Sequence, residues 1–292
     1  LQPSRQFLNT ITTTAAALVV AIAVSGCRQR LGAQNTPAVR VVSLSPSTTE
    51  TLFAIGAGGV TVGRSRYCDR PKEALALPEV GGFVDPNLEA ILALRPTLVV
   101  GARGPGGTGV TDRLAAQGIE LYFPEADSLA GIDAMITGMG AHVGHPAEAA
   151  ALVQKLDADV ATIGREVAAE ARPRVILVFG LEPVVLAGPG GFADELLQRA
   201  GAVNAVADGP RYPTVGIERV LALDPDVVLN AAIAEAHGAQ RIEATAPGWR
   251  ELRAVKTGKV VAITDEEVLR PGPYVAEALR TLAHALHPAV VP

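Results

Sequence analysis

Cysteine is almost missing from this chain. Two occur in 292 residues, Cys27 and Cys68, too few for the disulfide framework that staples many small exported domains. Aromatic residues are scarce, at 4%, with one tryptophan, Trp249, so the placing of each aromatic is informative. No basic run interrupts the dispersed acids, and the formal net charge is -5. Such a surface offers nothing to nucleic acid or to anionic lipid. There is no G-x-S-x-G turn, no H-E-x-x-H helix and no Cys–His pairing, which leaves an enzyme without an evident nucleophile or catalytic metal.

What the chain does have is apolar bulk. Hydrophobic residues make up 49%, enough for one large or two medium domains with real cores. The uncharged run Ile11–Val24 is about 14 residues long, short for a membrane span. It follows a weakly basic start and runs into Val24-Ser25-Gly26-Cys27. Small residues before a cysteine, after an apolar run, resemble a bacterial lipobox. Residues 1–26 are therefore expected to be a signal peptide, Cys27 the lipidated mature N-terminus, and residues 27–38 a tether. Cys68, left without a partner, is expected to be a small buried apolar residue.

From Val39 onward, strand-like and helix-like stretches alternate. "VRVVSLS" is a continuous apolar run of strand type, and "VTVGRS", "TLVVGA" and "ELYFP" read as further strands, the pattern of a mostly parallel α/β sheet. Ser47-Thr48-Thr49-Glu50 reads as a capping box opening the first helix. Residues 145–171 form an Ala-rich helical stretch with no proline after its first turn, long enough to join two lobes. After it the scheme restarts with "RVILVFG". The spacing predicts an N-terminal lobe over 39–144, an interlobe helix over 145–171 and a C-terminal lobe over 172–292: two Rossmann-like α/β lobes with mostly parallel sheets, joined by a single long rigid helix.

The clearest sign of duplication is a short helix and strand written twice. "NLEAILALRPTLVV" starts at Asn87 and "GIERVLALDPDVVL" at Gly216. Asp85 with Pro86, and Thr214, are the expected caps. Leu88, Ile91 and Leu92 form one buried stripe; Ile217, Val220 and Leu221 form the other. Glu89 and Glu218 lie off these stripes. An acid near a helix N-terminus suits the macrodipole; equally, two equivalent lobes could each show one carboxylate to a symmetric partner.

These residues carry a resemblance. "VVSLSPSTTETLFAIGAGG", "YCDRPKEALALPEVGGFVDPNLEAILALRPTLVV", "YPTVGIERVLALDPDVVL", "WRELRAVKTGKV" and "RPGPYVAEALRTLAHALHP" are similar to the substrate-binding proteins of bacterial ABC importers for cobalamin, iron siderophores and haem, and look most like the cobalamin-binding type. The likeness covers about Val39 to Pro292. It implies a monomeric, non-enzymatic receptor in the periplasm or at the cell surface, held to the membrane only by a lipid anchor. Its partner is a permease dimer with ATPase subunits, and the resemblance implies that Glu89 and Glu218 pair with arginines of that permease. No resident cofactor is implied.

Loops at the carboxyl ends of strands face the crevice in such folds, and Tyr67, Phe83 and Tyr212 fall in loops at or just after strand ends or before the repeated helices. The resemblance places aromatic contacts to a corrin ring at positions like Tyr67 and Tyr212; tryptophans usual there are missing, and Ala102 stands at another aromatic position. Arg103, Asp265 and Arg270 are further candidates to meet the ligand's polar groups. Haem is the alternative ligand, with Tyr212 or His237 as an iron ligand. Siderophores come third, since they call for more cleft arginines. A different class of function, a dinucleotide-dependent enzyme, rests on Gly104, Gly106 and Gly109. Pro105 within that loop and its position after an internal strand argue against it. His142 with His145, and His284 with His287, have metal-binding spacing, but prolines follow His145 and His287, which favours capping.

Overall fold

The computed structural model describes residues 38–102, 108–232 and 241–291, and the elements below belong to one compact unit, Val39–Pro292. The readings at Cys27, Arg103 and His237, the segments 1–26 and 28–37, and most of the Gly104–Gly109 loop lie outside the described residues.

The first sheet is wholly parallel. It consists of β1 (Val41–Ser43), β2 (Thr61–Arg64), β3 (Leu98–Val100) and β4 (Glu120–Tyr122), in the spatial order β2-β1-β3-β4. Between them run α1 (Pro46–Ala54), α2 (Leu88–Ala93) and α3 (Thr108–Ala116). The second sheet holds β5 (Arg174–Leu181), β6 (Val184–Leu186), β7 (Val203–Asn204), β8 (Thr214–Val215), β9 (Val227–Asn230) and β10 (Val260–Ala262). Its order is β10-β9-β5-β6-β8, with β7 beside β5. The β5–β6 and β6–β8 pairs are antiparallel, and the β5 pairings with β7 and β9 and the β9–β10 pair are parallel.

Apolar runs without polar alternation are explained by burial on both faces. Val41, Leu98 and Val100 point to one side of the first sheet and Val42 and Val99 to the other. In the second sheet Val175, Leu177 and Leu229 share one side, and Ile176, Val178 and Val228 the other, where Trp249 completes a separate core. The inner sides of the two sheets contribute to the same core.

That shared core is built on helices between and after the sheets: α4 (Leu129–Val143), α5 (Pro146–Glu166), α6 (Phe192–Arg199) and, near the C-terminus, α9 (Val275–Leu286). The short helix α8 (Arg253–Lys256) precedes β10. The stretch expected to be helical over 145–171 is helical over Pro146–Glu166, 21 residues with Pro at its start. At 1.5 Å per residue this is about 31 Å. Ala149, Leu156, Val160 and Ile163 are its buried stripe, the spacing of one helical face. It packs on α4, α6 and α9. Helix α4 was not evident in the sequence because glycines dilute its propensity. Two of them are close-approach residues: a Cβ on Gly140 would collide with Ala149 of α5, and one on Gly138 with the Tyr122 hydroxyl.

Several expected caps moved. Helix α1 begins two residues earlier than the capping-box reading allows, with Ser45 as N-cap in place of Ser47 and Pro46 at the first position. Glu50 is therefore interior to the helix and buried rather than capping it. Helix α2 is capped by Asn87, whose side chain accepts from the Ala90 N–H at 3.1 Å; Asp85 instead pairs with Arg66 at 2.7 Å. The second copy, α7 (Ile217–Leu223), is capped by Gly216, and Thr214 lies in β8. Both copies end alike. Arg95 and Asp224 take positive φ, 48° and 37°, immediately before Pro96 and Pro225. Proline forbids its predecessor the right-handed helical region, and the left-handed residue breaks each helix toward its strand.

Candidate ligand-binding site

The β1–α1 turn is the floor on which the site is built. Its hydroxyls are buried and satisfy one another: Ser43 and Ser45 each lie 2.8 Å from Thr48, Thr49 donates to Ser43 at 2.8 Å, and Thr51 donates to the Ser47 carbonyl at 2.7 Å. The Ala102 N–H donates to Ser45 at 3.0 Å, tying the end of β3 to the same turn. Buried hydroxyls so paired cost little and fix the loop.

Above this floor is a cavity of about 430 Å³. It lies at the carboxyl ends of β1, β2, β3 and β10, where parallel α/β sheets bind ligands. Pro46, Tyr67, Phe83, Val84, Ala102, Leu269 and Pro271 give it apolar walls, and Ser45, Ser47 and Arg270 its polar points. Tyr67 is 43% exposed and Val84 64% exposed, so large apolar groups open to solvent cluster here, the mark of an interaction site. The Arg66 guanidinium lies 5.7 Å from the Tyr67 ring centre and is held by Asp85. A hollow of about 600 Å³ near Arg172, Asp226, Lys259 and His287 sits at the opposite strand ends, away from where such sheets bind.

The structure thus gathers Tyr67, Phe83 and Arg270 in one place. Tyr212 is not among the residues lining this cavity. Its ring packs 5.7 Å from Phe179 and its hydroxyl donates to Asp127 at 2.9 Å; Arg211 holds the other Asp127 oxygen at 2.8 Å. Burial and the Asp127 carboxylate together push the Tyr212 hydroxyl well above its usual range. Asp265 is occupied structurally: one oxygen accepts from the Glu267 N–H and the other from Thr281, each at 3.0 Å.

Sequence reasoning missed the charges behind Arg270. Its Nη1 donates to Glu50 at 3.0 Å and to Asp69 at 3.1 Å, and its Nη2 to Glu266 at 2.6 Å. Arg70 pairs with Glu267 alongside. The Glu50 side chain is 1% exposed; burial raises its pKa above the ordinary carboxylate value, opposed in part by Arg270. A signal for this was available: proline favours the first helical position, so Pro46 places the cap at Ser45 and moves Glu50 inward.

Glu89 and Glu218 are both exposed, each at the second position of its helix. Neither has a salt-bridge partner among the described residues. Cys68 is fully buried and its thiol is pushed up by burial. The paired histidines do not converge on a metal. His142 meets Glu120 at 2.8 Å, His145 precedes α5, His284 meets the Val291 carbonyl at 2.7 Å and His287 ends α9. Among the described residues no group of three or more His, Cys, Asp or Glu is placed to hold a metal.

Residues 41–267 match the periplasmic binding protein family. The chain belongs to that family. A vitamin B12-binding protein of Salmonella typhimurium is 32% identical over 250 residues, 85% of this chain and 90% of that protein. Among solved structures, the periplasmic vitamin B12-binding protein BtuF of Vibrio cholerae superposes with a TM-score of 0.74 at 27% identity, covering 86% of this chain and 97% of its own. A periplasmic heme-binding protein from Pseudomonas aeruginosa gives 0.77 at 27% identity, covering 86% and 93%. These relatives are binding proteins, and their likeness extends to the whole two-sheet architecture.

Proposed function

We propose that this protein is the substrate-binding component of an ABC importer and that it captures cobalamin or a related corrinoid in the cavity at the sheet ends. The observation that carries the reading is the apolar wall of Tyr67, Phe83, Val84 and Leu269 facing open space beside one oriented arginine. A large flat ring is held by apolar area, with a few polar groups fixing its orientation. The curated relative named for vitamin B12 supports this choice. The haem-binding neighbour keeps haem as the second reading. Against iron ligation by Tyr212, its hydroxyl is already donated to a carboxylate, which opposes the deprotonation that such ligation requires.

Delivery would be to a dimeric permease through Glu89 and Glu218, with Cys27 as the lipid anchor. Mass spectrometry of membrane-extracted protein is expected to find an acylated N-terminal Cys27; a mature N-terminus elsewhere without lipid mass would refute the anchor.

The ligand is tested by titrating purified protein with cyanocobalamin, haemin and a ferric hydroxamate, following heat and the visible spectrum. Submicromolar cyanocobalamin binding is expected. Tyr67→Ala should weaken it about tenfold or more, since removing one stacked aromatic costs roughly 1–3 kcal/mol by analogy with base stacking. A new charge-transfer band with haemin and no heat with cyanocobalamin would replace the corrinoid by haem.

A further inference from the structure

The one charged side chain among the described residues lining the cavity is Arg270, and three of its five N–H donors are already committed to carboxylates. Three carboxylates surround it: Glu50 and Asp69 on Nη1 and Glu266 on Nη2. The neighbouring Arg70–Glu267 pair adds no net charge. Even with Glu50 protonated, two acids face one cation among the described residues. Arg66, beside the cavity-lining Tyr67, is bound to Asp85. Asp69 is 52% exposed and Glu266 28% exposed, so their oxygens can still be approached from solvent.

This arrangement treats ligands unequally. A carboxylate entering the cavity would find most of the arginine donors taken and the surplus charge of the described residues of its own sign, a juxtaposition that costs binding energy. An amide or a cationic group would find acceptors. Such discrimination works by repulsion as much as by attraction.

We propose that Asp69 and Glu266 are specificity residues that bar anionic ligands from the cleft and admit a neutral or cationic macrocycle with amide donors at its rim. The proposal rests on the reading that this cavity is the ligand site, and adds which ligand charge it accepts.

The test uses two corrinoids with the same ring: dicyanocobinamide, whose rim carries amides, and dicyanocobyrinic acid, whose rim carries carboxylates. The full chain is titrated with each in low salt. Wild type is expected to prefer the amide form at least about a hundredfold, as several like charges each weaken binding severalfold. Asp69→Asn and Glu266→Gln, which keep an oxygen for Arg270, should each narrow that preference by about threefold to tenfold, and the narrowing should fade as added salt screens the half-exposed charges. An unchanged preference in both variants, or equal binding of the two forms by wild type, overturns the specificity assignment and leaves the corrinoid reading standing. Binding of neither form overturns the site reading itself, and the proposal with it.

Discussion

Reversing both Glu89 and Glu218 to Arg is expected to abolish ligand delivery through the membrane permease while ligand affinity and folding stay close to wild type. The two carboxylates occupy equivalent places. Each is the second residue of a short helix, each helix is followed by a left-handed residue, a proline and a strand, and each strand pairs with the first strand of its own sheet. Both side chains are exposed, and the buried faces of their helices are carried by Ile91 and Val220. Their local contribution is the interaction with the helix macrodipole, about 0.3–1 kcal/mol each, so folding tolerates the change. A docking interface does not. Like charges brought together there cost several kcal/mol, and the paired geometry means both contacts fail at once. The measurement is ligand-stimulated ATP hydrolysis by the reconstituted transporter, beside a cobalamin titration of the variant alone. Normal stimulation by the double variant would remove the docking role from these residues.

Much of this architecture can be read from the chain because its cause is local. "VVSLS", "TLVV" and "ILVF" are continuous apolar runs because the strands they form are covered on both faces. The doubled helix-strand segment signals duplication because Pro96 and Pro225 impose the same break on both copies. The cleft aromatics Tyr67 and Phe83 follow from strand order, since loops at the carboxyl ends of parallel strands converge. What the sequence conceals is pairing at a distance. Arg270 and Glu50 are 220 positions apart, and Tyr212 and Asp127 are 85 apart; nothing in either local segment names its partner. Tyr212 reads as a ring contact because it has the right type in the right loop; its hydroxyl bond to Asp127 becomes visible only when the second sheet is packed near the segment after β4. Asp265 likewise reads as a free acid until Thr281 and the Glu267 N–H are seen to occupy it.

The same distant pairing gives the second large effect. Arg270→Ala is expected to destabilise the fold by about 3–5 kcal/mol at neutral pH, the cost of stranding a buried charge whose partner is removed. Arg270 is the direct partner of Glu50, whose second carboxylate oxygen is buried with no hydrogen bond among the described residues. With the guanidinium gone, desolvation acts on Glu50 almost unopposed, Arg70 being a weaker counter-charge. Asp69 and Glu266 can turn to water and lose less. The pH dependence follows from the direction of the shift. Glu50 binds its proton more tightly in the folded chain than at the unfolded value of 4.5, so between that value and the raised one the native state holds more protons. Stability then falls as pH rises through this window and is regained on acidification. Removing Arg270 raises the folded pKa further, so the variant's deficit should be larger at pH 7.5 than at pH 5. Adding Glu50→Gln to Arg270→Ala should recover much of the loss and flatten that difference, because a neutral amide is far less costly to bury than a carboxylate. Urea denaturation at the two pH values reads all three quantities. An Arg270→Ala midpoint equal to wild type, or a deficit that Glu50→Gln does not reduce, would show that the energy of this cluster lies in the exposed pairs and not in the buried one.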